Sequence, residues 1–230
     1  MVLDHIDHIP GLLPAELSGL FHVLTRCVGT FFAYLAVEGF VHTHSRPRYA
    51  LRLFGWAAFM AAGNAVYNAI ANDPRLHLSN NIFLTLALGV LMLCILAGTQ
   101  ADKPAGHPAL RILGVLVVLA VGAVFAEGGI VVLPFMLVTY LCRKRPALRN
   151  VLYLLGAIAL FFMSYVPYPT VHETLLMLSY NSDFLFITVL PFIWLYDGTR
   201  GSNTPFCKYF FYVFYPLHLW VIGLIALVMR

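Results

Sequence analysis

Apolar stretches of roughly twenty residues follow one another along almost the whole chain, separated by short polar gaps, and this pattern makes lipid the solvent for most of it. A bilayer core takes about 20 apolar residues per helical crossing. No soluble domain of 230 residues has an interior large enough for such a chain, in which 61% of residues are hydrophobic and only 10% are Asp, Glu, Lys or Arg; soluble domains carry ~25% charged residues. The mean hydropathy of +0.84 points the same way. The runs predict helices over 18–41, 49–70, 78–97, 109–126, 129–141, 147–166, 172–196 and 207–229. The expected fold is all-α: one polytopic transmembrane bundle over residues 1–230, with about eight crossings. Turn signals fall in the gaps, at Arg46-Pro47, Asp73-Pro74, Lys103-Pro104, Pro167 with Pro169, and from Gly198 to Pro205. Pro134, Pro191 and Pro216 lie inside crossings and predict kinks. Residues 1–10 are too short to span and too acidic for a secretory signal. They read as the outer end of a helix that begins upstream, or as a half-helix inserted against the bundle.

Orientation follows from the basic residues near the crossing ends. Alternate connections carry Arg46, Arg48 and Arg52, then Lys103 and Arg111, then Arg143, Lys144, Arg145 and Arg149, then Arg200 and Lys208, which together hold 11 of the 14 basic residues. The opposite connections hold Arg75 alone. This bias puts the basic connections in the cytoplasm and the first residues near the outer face. The net charge of +4 is mostly this topological bias, so nucleic-acid binding is not expected. Cys27, Cys94, Cys142 and Cys207 have no metal-ligand spacing and suggest no disulfide framework.

Polar groups within the crossings are costly and therefore informative. At 1.5 Å of rise per residue, Arg26 lies roughly 12 Å below the outer boundary. Asn64, Asn68 and Asn72 stand at i, i+4 and i+8, on one helix face. Asn181, Asp183, Tyr215 and His218 lie near mid-depth, and these groups are candidates for one interior polar cavity. The alternative is purely structural: Asp183 pairs with Arg26 or with His218, and the amides bond across helices. Glu38 and Arg52 are each seven residues from Ser45, so they stand at equal height on neighbouring helices. They form either an ion pair clamping that hairpin or a phosphate-facing Arg52 held by Glu38. At the outer end, Asp4 and His8 are spaced i, i+4, as a carboxylate orienting a histidine base requires. A plain solvated helix end and a metal site of Asp4, His5 and His8 are the other readings, and no metal is expected.

Several segments together resemble a known family. Asp4-His5-Ile6, Val37-Glu38-Gly39-Phe40-Val41-His42-Thr43 and the Tyr49 to Leu53 segment (Tyr-Ala-Leu-Arg-Leu) are similar to the opening of the TraX-like proteins, membrane acetylases of conjugative pilin. Leu195-Tyr196-Asp197-Gly198-Thr199-Arg200-Gly201 resembles that family's glycine-arginine loop. Lys208-Tyr209-Phe210-Phe211-Tyr212-Val213-Phe214-Tyr215-Pro216-Leu217-His218-Leu219 resembles its Phe-Tyr, Tyr-Pro-Leu-His signature.

The resemblance implies transfer of an acetyl group from cytoplasmic acetyl-CoA to an amine at the outer side, by analogy the N-terminal amine of a pilin. In that scheme Arg46, Arg48, Arg52, Gly198, Arg200, Gly201 and Lys208 face the CoA phosphates. Tyr215 and His218 stand deeper, and His5 or His8, oriented by Asp4, takes the proton of the attacking amine. Arg26 or Asn64 stabilises the oxyanion. Two other classes use the same residues: a small-solute transporter with a midplane site, and a non-enzymatic assembly factor of a conjugation or secretion apparatus.

Overall fold

Helices begin and end where side chains can satisfy the free backbone groups of their first and last turns. The computed structural model describes residues 1–98, 107–199, 201–202 and 204–229, and places Lys208 by its backbone alone. Among the described residues there are ten α-helices, three short 3-10 turns and no strand. They are α1 (Val2–His5), α2 (Ala15–His42), α3 (Arg46–Ala71), α4 (Ile82–Ala97), α5 (Pro108–Phe125), α6 (Gly129–Leu141), α7 (Pro146–Ser164), α8 (Val171–Tyr180), α9 (Leu190–Leu195) and α10 (Pro205–Val228). Prolines open α5, α7 and α10, a position that suits a residue without an N–H. His107 and Thr204 cap α5 and α10 by accepting from Ala109 N and Cys207 N. Thr170 and Glu173 form a reciprocal capping box on α8.

The chain is a helical membrane protein. α2, α5, α7 and the Tyr209–Val228 part of α10 are long and apolar enough to cross a bilayer. The last of the expected helices before α10 departs from the sequence reading. Instead of one rod over 172–196, α8 ends at Tyr180, a 3-10 turn runs Asp183–Val189, and α9 follows, with a bend of 60° between the two halves. If the halves make one broken span, the candidates number five. The break falls at Asn181-Ser182-Asp183, where polar side chains draw the backbone out of the helix. Pro191 therefore opens α9 instead of kinking a continuous helix, whereas Pro134 and Pro216 do sit inside α6 and α10.

The chain divides into two compact units: Met1–Val28, Met60–Ser79 and Ile158–Arg230 form the first, Gly29–Phe59 and Asn80–Ala157 the second. The first unit is centred on Ile9, Tyr67, Ala71, Leu76, Leu78, Ile222 and Ala226. Tyr67 donates its hydroxyl to Gly223 O at 2.9 Å, and the Trp220 indole packs against Gly63, where a Cβ would strike the ring. Small residues at such crossings let helices approach closely. In the second unit α4, α5 and α6 pack together, with Gly129 seated directly on the Gly122 carbonyl.

Candidate functional site

The first unit gathers its ionisable groups around the N-terminal turns. His22, Thr25 and Arg26, at i, i+3 and i+4, share one face of α2. α1 and the Ile6–His8 turn bring Asp4 and Asp7 against that face. Asp4 Oδ1 accepts from Thr25 Oγ1 at 2.7 Å and from Arg26 Nη2 at 3.0 Å, and lies 3.2 Å from His22 Nδ1. His22 Nε2 donates to Asp7 Oδ2 at 2.9 Å. Arg26 Nη1 donates to Asp183 Oδ1 at 3.0 Å, and Nε donates to His22 O at 3.0 Å. His22 Nδ1, 2.9 Å from Arg26 Nη2, accepts from Arg26 when the ring is neutral and donates to Asp4 when it is charged. Three carboxylates are thus tied together by one arginine and one histidine.

Burial raises the Asp4 carboxyl, but the His22 bond, the Arg26 charge and the Thr25 hydroxyl outweigh it and hold the group well below the usual carboxylate range. Asp7 shifts the same way, burial being outweighed by His22. His5 goes the other way. Burial lowers it, the Asp4 charge offsets part of the effect, and the neighbouring His8 and His218 rings add to it, leaving a pKa of about 4. His5 is therefore a neutral imidazole at pH 7.

His218 stands on α10, 5.5 Å ring to ring from His5, and His8 is at the same distance from His5. The His218 ring stacks on Phe214 at 5.1 Å and meets Tyr215 edge-on at 5.5 Å. Its Nδ1 donates to Phe214 O at 2.9 Å, which fixes the tautomer with the lone pair on Nε2. That Nε2 is buried and has no hydrogen-bond partner among the described residues. A buried acceptor of this kind is costly in a purely structural role and suited to taking a proton from a bound molecule.

Several expectations meet a different geometry. Asp4 orients His22 and not His8. Asp183 pairs with Arg26, so the paired reading applies to that carboxylate. Arg26 engages all three of its nitrogens in protein bonds. The asparagine stripe is structural in part: Asn64 Oδ1 accepts from Trp220 Nε1 at 3.0 Å, Asn68 bonds both ways to the Leu78 backbone, and Asn72 ends α3 with φ 48°. Asn181 is exposed at the helix break. His22, Thr25 and Asp7 belong to the site although the sequence reading passed over them. A partial signal was present for His22 and Thr25, which stand at helical spacing with Arg26 inside an apolar run; Asp7 joins them only through the fold of the N-terminal turns.

The residues expected to meet CoA are dispersed in role. In the second unit, Arg46 Nη1 donates to Gly98 O at 3.0 Å and Ala97 O at 3.4 Å, capping α4, while its guanidinium lies 4.5 Å over the Phe40 ring. Arg48 is exposed, and Arg52 lies 5.3 Å over the Tyr49 ring. Glu38 is 3.6 Å from His42 Nε2 on its own helix, so Glu38 and Arg52 each have a neighbour one turn or less away in their own helix. In the first unit, Gly198 adopts φ 72°, and the Asp197 carboxylate accepts from Thr199 N at 2.9 Å and from Thr199 Oγ1 at 2.8 Å. The Thr199 backbone N–H and hydroxyl lower the Asp197 carboxyl. Gly201 is exposed, and a Cβ there would meet open space. Lys103, Arg200 and the Lys208 side chain lie outside the described residues.

Comparison with known proteins agrees with the arrangement of motifs along the chain. The chain is 29% identical over 227 residues to the probable fimbrial assembly protein FimC, serogroup H1, of Dichelobacter nodosus, covering 93% of this chain and 87% of that protein. No solved structure is significantly similar. The family model described as TraX protein matches residues 1–226. The chain belongs to the TraX family.

Proposed function

We propose that the chain is an integral membrane acyltransferase that moves an acetyl group from acetyl-CoA to an amine acceptor, the N-terminal amine of a pilin. It acts in a bacterial inner membrane, crossing it about eight times with the basic connections on the cytoplasmic side. The observation that carries this reading is the buried, unpartnered Nε2 of His218 beside a neutral His5. A buried imidazole nitrogen with an available lone pair is the equipment for taking a proton from an amine as it adds to a carbonyl. The amine nitrogen attacks the thioester carbonyl and a C–N bond forms. His218 Nε2 takes the amine proton, the C–S bond breaks, and the proton leaves with the CoA thiolate. An α-amine, with a pKa of ~7.7–8.0, is mostly protonated at neutral pH; its first proton goes to water before the attack, and the second, carried on the nitrogen of the tetrahedral adduct, is the one His218 takes.

The Asp4–His22–Arg26–Asp183 network holds α1 and the helix break in place, and Arg26 supplies positive charge against Asp4, the neighbour of His5. Arg46, Arg48, Arg52, Gly198, Arg200, Gly201 and Lys208 are the residues assigned to the CoA phosphates. Of these, Arg46 also serves the end of α4. Membership of the TraX family supports a role in pilus or conjugation systems, and the FimC relative is named for fimbrial assembly.

The test is acetyl transfer by purified protein carrying His5→Ala or His218→Ala. We expect kcat to fall by about 100-fold or more for His218→Ala, as for loss of a general base, with little change in KM for acetyl-CoA. Wild-type rates in both variants would remove the proposed acid-base chemistry. A second reading, a non-enzymatic assembly factor, is favoured by the relative's name and by the full engagement of Arg26. A protein of that kind does not bind acetyl-CoA.

A further inference from the structure

The unit formed by Gly29–Phe59 and Asn80–Ala157 is strongly basic, with eight Arg and Lys against two carboxylates among its described residues. Both carboxylates have partners: Glu38 is 3.6 Å from His42, and Glu127 accepts from Asn80 Nδ2 at 2.9 Å. Arg149 is the one cation of this unit that is buried among the described residues, at 8% exposure. Its Nε and Nη2 both donate to Asn150 Oδ1, each at 3.3 Å, and no described carboxylate lies within ion-pair distance of it. The guanidinium is flanked by the Tyr34 ring at 5.8 Å and the Tyr153 ring at 5.9 Å. Tyr153 is held firmly, stacked on Phe135 at 4.5 Å with its hydroxyl 2.6 Å from Thr139 Oγ1.

A buried guanidinium whose only polar side-chain partner among the described residues is a neutral amide keeps its positive charge uncompensated by them, which proteins avoid unless an anion joins it. Its position adds to the demand. α7 starts at Pro146, so Arg149 lies in the first turn, where unpaired backbone N–H groups and the helix dipole also favour negative charge. Arginine between aromatic faces matches the planar, two-pronged geometry of phosphate oxygens and the flat or greasy body attached to them.

We infer that Arg149, with Tyr34 and Tyr153 at the start of α7, is a binding site for an organic phosphate: a phosphoester anion carried by an aromatic or apolar body. Two sources share that chemistry, a nucleotide phosphate and a phospholipid headgroup. The inference is independent of acetyl transfer, since it concerns an anion and no reaction.

The experiment uses the full chain, delipidated in neutral detergent, with two probes: adenosine 3′,5′-bisphosphate and a short-chain phosphatidylglycerol. Calorimetry and thermal unfolding are read on the wild type, Arg149→Gln and Arg149→Lys. At least one probe binds the wild type and raises its melting temperature; Arg149→Gln weakens that binding about 10- to 100-fold, and Arg149→Lys weakens it less. Binding of the bisphosphate identifies a nucleotide site, and binding of the lipid alone identifies a headgroup site. Ligand-free Arg149→Gln melts no lower than the wild type, because the substitution removes an uncompensated charge. Three results overturn the inference: neither probe binds the wild type, Arg149→Gln binds as tightly as the wild type, or ligand-free Arg149→Gln melts markedly lower, which marks Arg149 as a structural cation.

Discussion

Arg26 bridges two carboxylates of different exposure, and that difference sets a measurable ranking. Its side chain is 22% exposed; Asp4, at 26%, is similarly enclosed, and Asp183, at 48%, is half open to solvent. A charge-assisted hydrogen bond in an enclosed setting contributes about 1.5–3 kcal/mol, whereas solvent screening leaves an open pair ~0–1 kcal/mol. Arg26→Gln removes both and is expected to cost about 2–4 kcal/mol. For a chain of this length that lowers the melting temperature by about 4–16 °C. The pairwise terms are separable by double-mutant cycles with Asp4→Asn and Asp183→Asn, read as denaturant or thermal unfolding in detergent. The Arg26–Asp4 coupling is expected at about 1.5–3 kcal/mol and the Arg26–Asp183 coupling below about 1 kcal/mol. Additivity within ~0.5 kcal/mol for Arg26 and Asp4, or a larger coupling for Asp183, would refute the reasoning.

Other substitutions probe the remaining geometry. His5, followed by its imidazole NMR signals, titrates near pH 4; because its folded value lies below the free value, it favours the folded chain above pH 6.5 and withdraws about 3 kcal/mol as pH falls toward 4. A His5 midpoint near 6.5 would mean that the ring is not desolvated. Gly198→Ala forces a side chain into a left-handed backbone at φ 72° and costs about 1–2 kcal/mol in unfolding measurements, while Gly201→Ala, facing open space, leaves stability unchanged. An increase in KM for acetyl-CoA in Gly201→Ala, with stability intact, is what close approach of that backbone to a phosphate predicts. Gly63→Ala drives a Cβ into the Trp220 ring and costs about 1–3 kcal/mol, with a shift in the indole fluorescence.

The fold was largely legible because lipid imposes one dominant rule, long apolar helices with punctuated ends, and α6 begins and ends where hydropathy and flanking glycine place it. The broken 171–195 segment was not legible, since its composition suits one continuous apolar helix, and Asn181, Ser182 and Asp183 mark a break only once Asp183 is seen to accept from Arg26, 157 residues away. Site residues divide the same way. Arg26, Asp4 and Asp183 announce themselves as charges in an apolar chain. His22 and Thr25 share the helical spacing of Arg26, but their carboxylate partners are known only once α1 folds back on α2, and the His218 nitrogen needs the Phe214 carbonyl to fix the ring. Arg149 looked like one more topological charge, and only its burial between two tyrosines sets it apart.

Free-thiol release from acetyl-CoA by the purified chain, with and without a peptide carrying a free N-terminal amine, tests the central claim most directly. The account predicts release that depends on the peptide, matches its mass gain of one acetyl group, and disappears in His218→Ala. A chain that neither binds acetyl-CoA nor releases thiol in any combination would contradict it.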